Sequence, residues 1–194
     1  REGSRPRRPV VIKRMLPHLA EDQHYVAMFR DEARIASAVE DEGVCRVFDL
    51  GECDGQPFIV MEYLEGETLS TILRRSRTIP AAKAARIAAQ VLSGLSAAHA
   101  KNVIHRDLKP GNVFMARQPD GTTRAKILDF GLAIDIAHEK LSASGQILGT
   151  PHYMAPEQAS GDAGPRSDLY SLGITYFRLL TDRLPFQGTT ALLV

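Results

Sequence analysis

The segment HRDLKPGNVF, residues 105–114, gathers a His, an Arg, an Asp, a Lys and an Asn around a Pro-Gly break, with apolar residues on either side. Charge held between buried segments is costly unless each group has a use or a partner. The carboxylate of Asp107 can orient a hydroxyl and take its proton. The ammonium of Lys109, two residues on, can offset negative charge as it develops. Asn112 carries a neutral oxygen and Asp129, in the DFG triplet at 129–131, a carboxylate, and both suit a hard cation such as Mg²⁺. A polar turn alone explains Pro110 and Gly111, but not the Asp, Lys and Asn together.

The elements that must position these groups follow from periodicity. VVIK at 10–13 is β-branched and predicts a strand. YVAMFRDEARIASAV predicts a helix, with Met28, Glu32, Ile35 and Val39 on one stripe at steps of four, three and four. A carboxylate within that stripe requires a cation facing it. VCRVFDLGE and QPFIVMEYL predict two strands joined by CDG, and EGE at 65–67 breaks the pattern as a candidate linker. Pro80 opens a helical pattern that runs to about Ala100, with Ile87, Val91 and Leu95 aligned. VFMARQPDGTTRAKIL predicts a hairpin turning at PDGT. Residues 132–149 have no clear period and predict a long loop, functional or disordered. DLYSLGITYFRLL, apolar nearly all round, predicts a central buried helix. The fold class expected is α+β, in two unequal lobes.

Composition narrows the classes of function. Of 194 residues, 44% are apolar and 24% charged, with a net charge of +1, which gives no sign of a nucleic-acid partner or a membrane-surface footprint. The basic start REGSRPRRP is expected to be a solvated arm. Cys45 and Cys53 match no metal-ligand spacing and are expected as reduced thiols in a cytoplasmic protein. No apolar run is long enough to cross a bilayer and no signal peptide is visible.

HRDLKPGN, DFG and APE (155–157), in that order and preceded by VVIK and a helical Glu32, resemble the eukaryotic-type protein kinases. Phrases such as MEYLEGETL and GTPHYMAPEQ resemble the bacterial Ser/Thr branch. The likeness runs from Val10 to about Phe186. It implies a two-lobed fold, residues 1–64 forming part of a small lobe and residues 65–194 part of a larger helical one. It implies ATP as phosphoryl donor, with Mg²⁺, or Mn²⁺ in its place, on Asn112 and Asp129. Lys13, paired with Glu32, would hold the α- and β-phosphates; seen alone, Lys13 reads as a surface lysine ending an edge strand. Asp107 would be the base and Lys109 would contact the transferring phosphate. The backbone of Glu62 and Leu64 would hydrogen-bond the adenine, with Met61 guarding the rear pocket. His105 and Phe130 would pack beneath the site, Asp168 would anchor the 105–107 loop, and His99 is expected to be a satisfied core histidine.

Lys109 and Thr150, in GTPHY, match the branch that phosphorylates Ser and Thr of proteins. Arg106 implies control by a phosphorylated loop, for which Ser142 and Ser144 are candidates, through self-association and trans-autophosphorylation. The alternative reading is a non-catalytic, pseudokinase-like scaffold. Three departures stand out: no GxGxxG precedes VVIK, the chain ends soon after LPFQG, and VEDEGVCRVF replaces the usual His-Pro-Asn turn. The chain is therefore expected to be an internal piece of a kinase domain, poorly active and unstable alone, with Glu157 lacking its family arginine partner.

Overall fold

The computed structural model describes residues 8–130 and 151–186. Strands β1 (Val10–Arg14), β2 (Val47–Cys53) and β3 (Gln56–Glu62) form an antiparallel sheet in the order β1-β3-β2. The β2–β3 turn places Asp54 and Gly55 at φ of 52° and 74°. That left-handed pair matches the twist of a hairpin, which is why Asp-Gly serves there. A short helix, α1 (Pro17–Ala20), leads into α2 (Gln23–Ser37), whose first turn is capped by Asp22 accepting a hydrogen bond from the His24 N–H at 2.8 Å.

Helix α2 packs on the sheet through Val26, Phe29 and Ala33, which share a small core with Met15 and Ile59. The stripe read from the sequence lies to one side of this contact. Met28 and Val39 are buried, Glu32 and Ile35 half-buried, and the helix ends at Ser37. Ala33 and Ala36, both buried, explain the offset: small side chains let the helix approach closely, so this face turns inward.

The rest of the chain packs around α4 (Ala81–His99). Before it come β4 (Gly66–Thr68) and α3 (Leu69–Ser76); after it come the hairpin β5 (Val113–Arg117) and β6 (Thr123–Ile127), then α5 (Pro165–Thr181). Leu69, Val91, Leu95, Leu108, Val113 and Ile127 are almost wholly buried in one cluster. Each such side chain contributes about 1.5–3 kcal/mol. The linker expected at 65–67 is largely a strand: β4 pairs with β5 in a second sheet, β4-β5-β6. Gly66 makes this possible, because its φ of 145° and an approach that would set a Cβ 2.1 Å from the Met115 carbonyl oxygen exclude other residues.

Helix α5 is apolar on most sides in sequence, yet it is not buried all round. Its inward face carries Ser167, Asp168, Ser171 and Thr175, while Leu169 and Phe177 are exposed. Two of these groups face inward onto backbone: Asp168 accepts from the His105 and Arg106 N–H groups, and the Ser171 hydroxyl donates to the Tyr153 carbonyl at 2.7 Å.

A second tie joins the first sheet's end of the molecule to the rest. The Ile127 N–H donates to the Gly43 carbonyl at 2.7 Å, and the Cys45 N–H to the Ile127 carbonyl at 2.8 Å. The contact needs a glycine on α4, since a Cβ on Gly94 would stand 2.9 Å from the Gly43 oxygen. VEDEGVCRVF therefore acts as a stitch onto β6 rather than a free turn.

Candidate active site

Two groups of the residues singled out by sequence come together, Lys13, Glu32 and Asp129 in one and Asp107, Lys109 and Asn112 in the other. Strand β1 presents Lys13 toward α2, and its Nζ lies 2.8 Å from Glu32 Oε1 and 2.9 Å from Asp129 Oδ1. Burial pulls the Lys13 ammonium down, but Asp129 and then Glu32 outweigh it and hold the group above its ordinary value. Burial pushes the Glu32 carboxyl up, and Lys13 only partly offsets this. On acidification Glu32 thus takes a proton sooner than an exposed glutamate, while Lys13 keeps its charge.

The 105–112 loop is anchored from beneath by Asp168, near the start of α5 and fully buried. Its Oδ2 accepts from the His105 N–H at 2.9 Å and from His99 Nε2 at 2.7 Å, and its Oδ1 accepts from the Arg106 N–H at 2.8 Å. Arg106 has a left-handed backbone, with φ of 66°, and its carbonyl accepts from Gln158 Nε2 at 2.8 Å. Strain of this kind persists only where surrounding bonds hold it. His105 donates from Nε2 to the Leu128 carbonyl at 2.9 Å, and its Nδ1 accepts from the Asp107 N–H at 3.2 Å, which fixes the tautomer. Its ring packs on Phe130 with centroids 5.2 Å apart.

Asp107 then projects from a fixed backbone. Its Oδ2 accepts from Lys109 Nζ at 2.7 Å and from Asn112 Nδ2 at 3.0 Å. Its Oδ1 accepts nothing from the described residues. Asn112 Nδ2 also donates to the Asp107 carbonyl at 2.8 Å, leaving Asn112 Oδ1 open. The Leu128 N–H donates to the Asn112 carbonyl at 2.8 Å and brings the loop beside Asp129, another left-handed residue with φ of 43°. An amide oxygen and a carboxylate are donors of the kind hard divalent cations take.

Met61 lines a narrow pocket with Lys13, Glu32, Cys45, Ile59 and Asp129. Glu62 and Leu64 follow at the end of β3 and in the irregular stretch after it, both half-buried. The Glu62 side chain is held at 2.7 and 3.0 Å by Lys126 Nζ, a buried partner not foreseen from sequence. The signal was available: a lysine inside the apolar run AKIL needs a counterion for the same reason Glu32 does. Gln158 carried no such signal. Glu157, expected to want an arginine, accepts from the Ser167 hydroxyl at 2.7 Å, and this bond holds its carboxyl below the usual range. Ser142, Ser144 and Thr150 lie outside the described residues, as does the loop expected at 132–149.

Cys45 gives a direct check on how closed this end of the site is. Burial, with Glu62 next, pushes its thiol up to about 12, so it stays protonated at pH 8 to 9. The thiolate is the nucleophile; Cys53 is exposed. Iodoacetamide at pH 8 is expected to alkylate Cys53 and leave Cys45 unmodified in the folded protein, read by peptide mass mapping. Equal labelling of both would mean the Cys45 pocket is open.

Among known folds, the crystal structure of the Mycobacterium tuberculosis PknI kinase domain overlays with a TM-score of 0.71 at 28% identity, covering 92% of this chain and 66% of that one. The family model described as "Protein kinase domain" matches residues 4–192. The chain belongs to the protein kinase domain family. Among curated relatives, it is 39% identical to serine/threonine-protein kinase PknL of Mycobacterium tuberculosis over 186 residues, covering 95% of this chain and 46% of the relative. It is 37% identical to serine/threonine-protein kinase PrkC of Bacillus subtilis, covering 95% of this chain and 28% of that protein. It is 42% identical to serine/threonine-protein kinase pkn2 of Myxococcus xanthus, covering 93% and 22%. The chain thus spans less than half the length of these relatives. No helix among the described residues is long and apolar enough to cross a membrane.

Proposed function

We propose that the protein is a Ser/Thr protein kinase, transferring the γ-phosphoryl group of ATP to serine or threonine hydroxyls of other proteins in the cytoplasm. The observation that carries this is the state of Asp107. One of its oxygens is engaged by Lys109 and Asn112 and the other has no partner among the described residues, the arrangement wanted of a base that must orient an incoming hydroxyl. Asp107 takes the hydroxyl proton as the oxygen attacks, and Lys109 stays within reach of the charge on the transferring group. Lys13, fixed by Glu32, positions the α- and β-phosphates, and the backbone of Glu62 and Leu64 receives the adenine beside Met61. Asn112 Oδ1 and the Asp129 carboxylate would hold Mg²⁺, or Mn²⁺ in its place, whose contribution is to neutralise phosphate charge.

In this reading residues 1–64 and 65–194 belong to two lobes with the nucleotide between them. Arg106, whose backbone is held in place by Asp168 and Gln158, suits a receiver for a phosphate on Ser142 or Ser144, added in trans by a second copy, and Thr150 would be the hydroxyl of the Ser/Thr branch. The relatives' printed names, all serine/threonine-protein kinases, support the acceptor class.

The test is transfer of radiolabel from γ-labelled ATP to a protein acceptor by the full-length protein. Label on serine and threonine, abolished by EDTA and restored by Mg²⁺, is expected. ATP binding without transfer to any acceptor would favour the scaffold reading instead.

A further inference from the structure

Gln158 sits in the short helical turn Pro156–Ser160 and is only 2% exposed, yet its side chain reaches the 105–112 loop. Its Oε1 accepts from the Ala155 N–H at 3.0 Å, and its Nε2 donates to the Arg106 carbonyl at 2.8 Å. A backbone N–H can only donate and a backbone carbonyl can only accept, so these partners fix which way the amide points. The position needs a donor and an acceptor on one planar head. Glutamate lacks the donor, lysine and arginine lack the acceptor, and methionine lacks both. The carbonyl that Gln158 holds belongs to the peptide unit leading into Asp107. That unit is planar, and both of its polar atoms are taken. Gln158 holds the oxygen, while the Asp107 N–H donates to the His105 carbonyl at 2.9 Å and to His105 Nδ1 at 3.2 Å. Asp168 reaches only the N–H groups of His105 and Arg106, so it secures the loop up to Arg106 and not the plane that follows. The Arg106 φ of 66°, just before that plane, is a conformation that persists in a non-glycine residue only where neighbours hold it.

We propose that Gln158 is a positioning residue for phosphoryl transfer: it holds the peptide plane that aims Asp107, so the base is placed by the 155–158 segment as well as by α5. The inference rests on the kinase reading and adds a residue to that same site. Gln158 acts through the Arg106 carbonyl and touches no reacting atom. Freed of it, the plane can rotate, and the rotation carries the Asp107 carboxylate with it. A displacement of about 1 Å at the reacting groups can cost on the order of 10²-fold in rate. The nucleotide contacts assigned to Lys13, Glu62 and Leu64 lie on other segments, so binding of ATP does not depend on this amide.

The experiment uses the full-length protein with ATP and a serine-containing peptide. Rates are expressed per nucleotide-binding site, so any loss of folded protein cancels. Gln158→Met is expected to lower kcat by about 10- to 100-fold, between the worth of one hydrogen bond and that of a misplaced base, with KM for ATP unchanged. Gln158→Glu keeps the shape of the side chain and the bond from Ala155, but when ionised it offers the Arg106 carbonyl no proton. Protonated, it donates again. Burial raises a carboxyl's pKa, so the Gln158→Glu rate, relative to wild type at the same pH, is expected to climb as the pH falls from about 8 to about 6. The Gln158→Met ratio is expected to stay flat over that range. Ser171→Ala removes a different tie to the same segment, the bond to the Tyr153 carbonyl at 2.7 Å, and is expected to keep the wild-type kcat. A wild-type kcat in Gln158→Met, a loss confined to KM, a flat ratio for Gln158→Glu, or an equal fall in Ser171→Ala would each overturn the proposal and leave the kinase reading standing. Absence of transfer by the wild-type protein would overturn both.

Discussion

Asp107→Asn is expected to lower phosphoryl transfer by about 10²- to 10⁴-fold, the usual contribution of a positioned general base. The amide keeps the shape of the side chain and can still accept a hydrogen bond through Oδ1. It cannot take the hydroxyl proton, and it leaves Lys109 facing a neutral group in place of the carboxylate 2.7 Å away. Stability should change little, because Asp107 is partly exposed and its backbone N–H bond to His105 is untouched. ATP affinity should change little too, since no contact between Asp107 and Lys13, Met61 or Glu62 supports the nucleotide. Radiolabel transfer, nucleotide titration and a thermal melt on one preparation separate the three effects. Equal label incorporation by wild type and variant would sink the role of Asp107, whatever the melt shows.

Asp168→Ala is expected to act on the fold, and to act harder than any surface substitution. The carboxylate is fully buried and accepts from two backbone N–H groups and one imidazole. Deleting it strands three donors away from water. At about 1–3 kcal/mol for each of the three groups, the loss should be roughly 3–9 kcal/mol, a large share of the stability of an ordinary domain. An exposed pair such as Arg30–Glu52, with both side chains half in solvent, is worth under about 1 kcal/mol by comparison. Urea unfolding of Asp168→Ala and Arg30→Ala decides between buried hydrogen bonding and surface charge as the dominant polar contribution. Losses of similar size would contradict the picture. Because the same carboxylate pins the left-handed backbone of Arg106, residual folded Asp168→Ala should also transfer phosphate poorly.

Much of the site was legible because chemistry imposes residue types in a fixed order. Glu32 announced a cation by sitting among apolar neighbours, and Lys13 answers it at 2.8 Å. His99 was expected to be a satisfied core histidine, and it is bonded to Asp168. The strands, the Asp-Gly hairpin and the helix from Pro80 followed from periodicity and turn chemistry. What sequence did not yield depends on three-dimensional competition. The inward face of α2 runs through Val26, Phe29, Ala33 and Ala36, and its two alanines, which let the helix approach closely, carry little apolar signal in sequence. Helix α5 turns Asp168 and Ser171 inward and exposes Leu169 and Phe177, because backbone N–H groups and a carbonyl beneath it are met by those two side chains. Residues 65–67 gave no strand signal, since β4 is held by pairing with β5 and not by its own propensity. Lys126 could have been found by the argument applied to Glu32; Gln158 could not.

The stitch at residues 43–45 has a mechanical meaning. It is the backbone part of a wider seam between the first sheet with α2 and the rest of the molecule, which also holds the covalent crossing at 63–65, the Lys13–Asp129 and Glu62–Lys126 ion pairs, and Ala36 and Val39 in one buried cluster with Leu95 and Ile127. Being made of N–H and carbonyl groups, the crossing onto Ile127 outlasts side-chain changes elsewhere in the seam. The glycines at 43 and 94 are what let the two backbones come this close. The Lys13–Asp129 pair ties the phosphate-holding lysine to the segment that leaves β6, so the stitch and the ion pair fix the two ends of that short segment together.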